Sequence, residues 1–238
     1  MRVAHFVEDF HRARLAAVKE ALKFLNGRRV IGLGTGSTAE LLIKEAHATG
    51  LLDGKELVAS SMETVEILTR LGYKVFDILS VDSLELYLDS ADEVDGQGRM
   101  VKGGGAALTM EKLLARHAEL RVFVVDEFKV VDRLGVRRSI PIEVVPGSLR
   151  MVLKDLARLG LMVSVRKGTG KRGPVVSDVG GIILDSFPPP DMSLEGFERL
   201  VKGLTGVIET GLFLSEADVV IVGFNNGSVR YLKGLPPN

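Results

Sequence analysis

The chain has 238 residues, 46% of them hydrophobic and 26% charged, with 31 basic residues offset by 31 acidic ones. That is the makeup of a soluble globular protein with no excess charge to draw a polyanion. Cysteine is absent, Trp is absent, His5, His11, His47 and His117 never stand four apart, and no apolar run nears a membrane span of ~18 residues. Disulfides and thiolate chemistry are therefore excluded, and neither a zinc site nor a nucleic-acid or membrane partner is expected. The first nine residues turn acidic before an apolar stretch forms, so a secretory signal is not expected and a cytoplasmic protein is.

In chain order, Phe6 to Leu25 reads as a helix with Leu15, Val18, Leu22 and Leu25 on one face. Arg29 to Gly34 reads as a buried strand running into a glycine turn, and Ser37 to Ala46 as a second helix. A helix over Met62 to Leu71 follows, then strand-like Lys74 to Phe76 and Leu84 to Leu88, a helix over Ala106 to His117 and a strand over Leu120 to Val125. Strands alternating with helices predict a doubly wound, mostly parallel, Rossmann-like sheet. From Ile142 the order becomes strand (to Val145), helix (Ser148 to Leu159), strands (Met162 to Arg166 and Gly181 to Asp185), helix (Ser193 to Gly203) and strand (Gly206 to Leu212). That is the ferredoxin-like α+β pattern. Pro188-Pro189-Pro190 is a loop. Ala217 to Gly223 is an apolar strand expected to return to the first sheet, with Asn225-Asn226-Gly227 as a hairpin signal before Ser228 to Leu232. The expected division is a discontinuous α/β domain of residues 1–138 and 213–238, and a smaller domain of residues 139–212.

Several of the 27 glycines fall in two short clusters. The first, Gly32-Leu33-Gly34-Thr35-Gly36-Ser37-Thr38-Ala39, joins a strand to a helix N-terminus, where free N–H groups and the helix dipole suit an anion. Read from Gly34 it also matches G-x-G-x-x-A, so a nicotinamide enzyme enters, with Glu56 or Asp53 as an approximate acid for the second strand. The hydroxyls of Thr35, Ser37 and Thr38 fit a terminal phosphate better, and a plain capped turn is the alternative. The second cluster runs from Asp89-Ser90-Ala91-Asp92-Glu93-Val94-Asp95-Gly96 to Lys102-Gly103-Gly104-Gly105. Four acids in seven residues read as a site or as a solvated or cation-binding turn, though the spacing is out of register for a calcium loop. Three consecutive glycines are costly unless a backbone must pass close to a ligand. Glu111 lies on the apolar side of the helix that follows, where partial burial would raise its pKa toward that of a general base. Phosphate cradle, carboxylate base and fixed cation together suit proton abstraction beside a carbonyl.

Gly34-Thr35-Gly36-Ser37-Thr38, Asp89-x-Ala91-Asp92-Glu93, Lys102-Gly103-Gly104-Gly105-Ala106-Ala107-Leu108 and Glu111-Lys112 resemble the motif set of type A ribose-5-phosphate isomerases. Pro141 to Pro146 and Gly206 to Phe213 also resemble that family. The resemblance implies interconversion of D-ribose 5-phosphate and D-ribulose 5-phosphate through an enediolate, without cofactor. It implies Glu111 as the proton-shuttling base, Lys102 on the enediolate oxygen, and Asp89 in ring opening or hydroxyl proton movement. It further implies Asp92 on sugar hydroxyls, with Thr35, Gly36, Ser37, Thr38, Ser90, Ala91, Gly103, Gly104, Gly105 and Lys129 in the substrate site and Arg14 as a looser phosphate contact. Ser60-Ser61-Met62-Glu63-Thr64 departs from the family's second hydroxyl-rich segment and leaves contacts from that loop open, and Ser90 stands where Gly is common. The alternative is a non-catalytic sugar-phosphate sensor domain, but the short stretch ahead of Arg29 leaves little room for a helix-turn-helix. A homodimer or homotetramer is expected, built through the smaller domain.

Overall fold

The computed structural model describes residues 2–170 and 172–237, the first nine of these by backbone alone, so the side chain of His5 lies outside the described residues. Helix α1 (Arg2–Ala21) tightens into a 3₁₀ turn at Leu22–Leu25 before β1 (Val30–Leu33), α2 (Ser37–Ala48), β2 (Glu56–Ala59) and α3 (Met62–Arg70). Next come β3 (Val75–Phe76), β4 (Leu86–Ser90), β5 (Glu93–Val94), β6 (Met100–Val101), α4 (Leu108–His117) and β7 (Arg121–Asp126). The second half holds β8 (Ile140–Val144), α5 (Leu149–Arg158), β9 (Met162–Val165), β10 (Ile182–Phe187), α6 (Leu194–Lys202) and β11 (Val207–Thr210). It ends with β12 (Leu212–Phe213), β13 (Val219–Gly223) and β14 (Val229–Lys233).

The central sheet has the order β14-β13-β7-β4-β1-β2-β3, parallel throughout except for the edge pair β13 and β14. β1, β4 and β13 are buried at every position because helices or loops cover both faces. On one face Leu25, Ile31, Leu42, Leu88, Val124 and Ile221 share a core. On the other, Tyr87, Phe123, Val125, Leu114, Phe213 and Val222 do so. The chain leaves β1 toward β2 and β3, then crosses back to β4 on the opposite side. Such a reversal opens a crevice at the carboxyl ends of the two strands, where sheets of this class hold ligands. As expected, the tail returns as β13 beside β7, and Gly227, at φ +85°, closes the hairpin with its N–H on Phe224 O at 2.8 Å.

The four-stranded antiparallel sheet has the order β11-β8-β10-β9, that of a split βαβ unit. Ile140, Ile142 and Val144 on one face of β8 meet Val152, Leu156, Phe197 and Val201 of α5 and α6. The alternate residues, Pro141 and Glu143, face the other way, toward Gly103 and Thr109.

Three features depart from the sequence reading. β2 was not anticipated, since only Leu57 and Val58 of its four residues are fully buried and no period is long enough to see. The single strand expected over Gly206 to Leu212 is two strands, broken at Gly211, whose N–H donates to Pro141 O (2.7 Å) and whose carbonyl accepts from Lys102 N (2.9 Å). A Cβ at that position would overlap Lys102 O, so the chain passes only as glycine. Beyond the break β12 pairs with β6, and β6 with β5, in a small antiparallel sheet of order β12-β6-β5.

Candidate active site

A cavity of about 100 Å³ opens at the carboxyl ends of β1 and β4. Its walls are the Thr35–Thr38 turn, Ser90 to Asp92, Lys102 to Gly105, Glu111 and Lys129. Gly36, at φ +98°, turns the chain from β1 into α2, leaving the first N–H groups of the helix without intrahelical acceptors. Thr38 Oγ1 is buried and has no hydrogen-bond partner among the described residues. An anion at this helix start would receive both N–H and hydroxyl donors. Arg14 stands at the edge, its Nη1 donating to Ser37 Oγ at 3.1 Å. It lines an adjoining cavity of about 540 Å³ that shares Asp92 and Lys129 with the first. Lys129 Nζ donates to Ser90 Oγ at 3.0 Å, and burial lowers its pKa despite the nearby Asp126 and Asp92.

At the cavity floor a buried triad of charges is assembled from three elements. Lys102 follows β6 and is held over the rings of Phe123 and Phe213, at 5.8 and 5.6 Å. Its Nζ lies 2.7 Å from Asp89 Oδ2, 2.6 Å from Ser90 O and 3.4 Å from Glu111 Oε1. Burial alone would lower the lysine pKa, but the charges of Asp89 and Glu111 more than offset it and hold the pKa above the ordinary value. The ammonium is thus permanently charged. Glu111 projects from the first turn of α4 and is 4% exposed, packed on the same side as Leu108, Leu114 and Ala115. Burial drives its pKa up to about 8; Lys102 pulls the other way, and Asp89 and Asp92 push it higher. Glu111 Oε2 is buried and unpartnered among the described residues.

Asp89, for which the resemblance implies ring opening or hydroxyl proton movement, sits behind the cavity wall. It is fully buried and does not line the cavity. One oxygen accepts from Tyr87 Oη (2.6 Å) and lies on Lys102, and the other accepts from Ser90 N (2.7 Å). A Cβ on Gly34 would overlap the Asp89 carboxylate, which explains a glycine at that point of the first cluster. Asp89 therefore meets the cavity through Lys102.

The remaining acids of the second cluster separate by contact. Asp92 lines the cavity and accepts from Gly104 N at 2.8 Å. Glu93 turns away and accepts from the backbone N–H groups of Gly135, Arg137 and Arg138, at 2.7–2.8 Å. Asp95 folds the β5–β6 turn by accepting from Gln97 N and Arg99 N and pairing with the Arg99 guanidinium. Two of the four acids are thus structural, which the spacing alone did not separate.

The open question of the Ser60–Thr64 loop is answered by contacts to Thr35 and not to the cavity. Thr35 Oγ1 lies 2.7 Å from both Ser60 Oγ and Ser61 Oγ, and Thr64 Oγ1 donates to Gly34 O at 2.7 Å. These hydroxyls fasten the phosphate-type turn from behind. They also overturn the nicotinamide alternative. Ser60 follows the carboxyl end of β2, where a ribose-binding acid would stand, whereas Glu56 opens that strand at its far end and pairs with Arg29.

Comparison with known proteins agrees with this arrangement. The family model described as ribose 5-phosphate isomerase A (phosphoriboisomerase A) matches residues 56–227. A ribose-5-phosphate isomerase A from Aeropyrum pernix is 45% identical over 85% of this chain and 86% of the relative. One from Pyrococcus horikoshii is 38% identical over 89% and 93%. The solved ribose 5-phosphate isomerase A of Methanocaldococcus jannaschii superposes with a TM-score of 0.86 at 34% identity, covering 93% of this chain and 98% of that one. A D-ribose-5-phosphate isomerase in complex with phospho-erythronic acid gives 0.87 at 36% identity, covering 94% and 99%.

Proposed function

The chain belongs to the ribose 5-phosphate isomerase A family and isomerises ribose 5-phosphate, and from that premise we propose that Glu111 is the base that carries the proton between C1 and C2. The observation that carries this reading is the unpartnered, buried Oε2 of Glu111 on the cavity wall, with the other oxygen on Lys102. An oxygen so placed has a free lone pair for a C–H proton, and its raised pKa makes the carboxylate a stronger base than an exposed one.

The substrate phosphate sits in the Thr35–Thr38 turn at the N-terminus of α2, with Lys129 and Arg14 on its outer side. That leaves C1 and C2 facing Glu111 and Lys102. Glu111 removes the C2 proton of the open-chain aldose, and charge develops on the carbonyl oxygen as a cis-enediolate. Lys102, fixed by Asp89 and Ser90 O before substrate arrives, stabilises that charge without having to reorganise. Glu111, now neutral in a site that favours its neutral form, returns the proton to C1 while the O2 hydroxyl proton passes to O1, so that C2 becomes the carbonyl of the ketose. Asp92 holds sugar hydroxyls while the Gly104 N–H fixes its carboxylate. The phospho-erythronic acid bound to the related enzyme is a phosphorylated acid of the same shape class, and here its carboxylate would lie beside Lys102. Base and cation both come from the chain itself, so no cofactor or metal has a step to supply, and the non-catalytic sensor alternative gives way to the isomerase.

Residues 1–138 and 213–238 form the catalytic unit in this reading, and residues 139–212 a second unit that joins subunits into a homodimer or homotetramer. Met162 and Phe187, both exposed on the β9–β10 pair, support an interface there. Among the described residues no helix is long and apolar enough to cross a membrane, which accords with a cytoplasmic enzyme. The reading is tested by coupled assay of ribulose 5-phosphate formed from ribose 5-phosphate by purified, EDTA-treated protein. Sustained turnover is expected, and activity restored only by added metal would overturn the mechanism.

A further inference from the structure

Arg166 lies 63 residues beyond Gly103, next after β9, yet its guanidinium reaches the back of the cavity wall. Its Nη1 donates to Gly103 O at 2.7 Å and to Gly104 O at 3.2 Å. The other side of the fork is spent on Asp185, with Nε on Oδ2 (2.9 Å) and Nη2 on Oδ1 (2.6 Å), and Ser139 Oγ donates to the same carboxylate at 2.8 Å. The Arg166 backbone is locked as well, its N–H on Ile183 O and its carbonyl accepting from Val175 N. Such a bidentate pair fixes the guanidinium plane, so the two loop carbonyls meet donors in a set position.

The segment it grips has one hydrogen bond of its own, Ala106 N–H on Gly103 O at 3.0 Å, and Arg166 adds a clamp from outside. Gly103 sits at φ +97° and Ala106 at φ +62°, a backbone state unfavourable for alanine, and three glycines in a row have the widest choice of alternatives. Among the described residues there are no cis peptides, so each N–H in this segment points opposite to the carbonyl of its own peptide unit. With the Gly103 and Gly104 carbonyls turned to Arg166, the N–H groups of Gly104 and Gly105 turn the other way. Gly104 N donates to Asp92 Oδ2 at 2.8 Å. Gly105 N donates to no group among the described residues, and Gly105 lines the cavity beside Lys102.

Resting on the isomerase reading above, we propose that Arg166, held by Asp185, is a positioning residue for the reaction. It turns the Gly103–Gly105 peptides so that the Gly105 N–H joins Lys102 as a donor to the enediolate oxygen, and the Gly104 N–H orients Asp92. A cation on the two carbonyls also polarises those N–H groups and makes them better donors.

The test compares Arg166→Ala, Arg166→Lys and Asp185→Asn with the unaltered enzyme for kcat, KM, and affinity for phospho-erythronic acid and for inorganic phosphate. Arg166→Ala is expected to lower kcat and weaken phospho-erythronic acid on the order of tenfold to a hundredfold, while phosphate, held at the Thr35–Thr38 end, binds as before. Low concentrations of guanidinium ion should recover part of the lost kcat, and Arg166→Lys should fall between. Asp185→Asn keeps the guanidinium but loosens it, so it carries the test with a smaller loss if Arg166→Ala does not fold. Unchanged kcat and unchanged analogue affinity in the folded variants would overturn the proposal, as would equal weakening of analogue and phosphate. An unaltered enzyme without isomerase activity would instead sink the reading on which the proposal rests.

Discussion

Two glutamates are buried next to the same helix and have opposite fates. Glu143, on β8, is fully buried, but its oxygens accept from the hydroxyls of Thr109 and Ser177, and a Cβ on Gly181 would overlap it. Glu111, two residues along α4 from Thr109, is also buried but shares one oxygen with Lys102 and leaves the other unpartnered at a cavity. Burial is common to both. What separates a structural carboxylate from a base is whether its lone pairs are already spent and whether a ligand-sized space lies in front of it.

Glu111→Gln should break the difference most sharply. Removing a general base is expected to cost about 10²–10⁴-fold in turnover, read by the coupled assay, with ribose 5-phosphate still bound in calorimetry. Lys102→Met comes next, at roughly 10²–10³-fold in kcat for a lost oxyanion donor. It should also lower the thermal midpoint, because Asp89 would be left buried without its cation. Lys129→Ala should act on binding, raising KM by roughly tenfold through loss of a charged hydrogen bond to phosphate, with kcat little changed.

The pH profile follows from the same contrast. Glu111 must be ionised to take a proton, and its pKa in the free enzyme is raised to about 8 by burial, so kcat/KM should climb with pH up to that region and then level. The sign for stability is opposite to that of an ordinary ion-paired carboxylate. The folded state holds the Glu111 proton more tightly than the unfolded chain, so this residue's contribution to stability falls as pH rises from the usual carboxylate range to about 8. Denaturant titrations at several pH values should show that slope reduced in Glu111→Gln. Glu143→Gln should be the mildest for catalysis, with kcat unchanged and a stability loss of about 1–3 kcal/mol from disturbed hydroxyl contacts. A large kcat loss there would erase the distinction between the two glutamates.

Much of this was legible in the residues because it is local. Gly34 to Thr38 sits between an apolar strand and a helix, and Lys102, Gly103 and Glu111 stand within ten positions of one another, so turn chemistry and helix spacing bring them together. The parallel sheet and the returning strand Val219–Gly223 were visible in long buried runs. What escaped depended on register between distant segments. β5, β6 and β12 are two residues each, too short for any period, yet they carry Lys102 and set Phe213 beneath it. The acidic run looked like one feature but divides among cavity, core and turn according to which backbone N–H groups come near. The resemblance places Asp89 in ring opening or hydroxyl proton movement, and only packing reveals that Lys102 stands between it and the cavity.

The central claim is that Glu111, and no other buried carboxylate, moves the carbon-bound proton. It is tested most directly by NMR of ribose 5-phosphate incubated with each enzyme in deuterium oxide. The account predicts deuterium incorporation with the unaltered protein and with Glu143→Gln, and none above background with Glu111→Gln although the sugar phosphate still binds. Exchange by Glu111→Gln at the unaltered rate would contradict it.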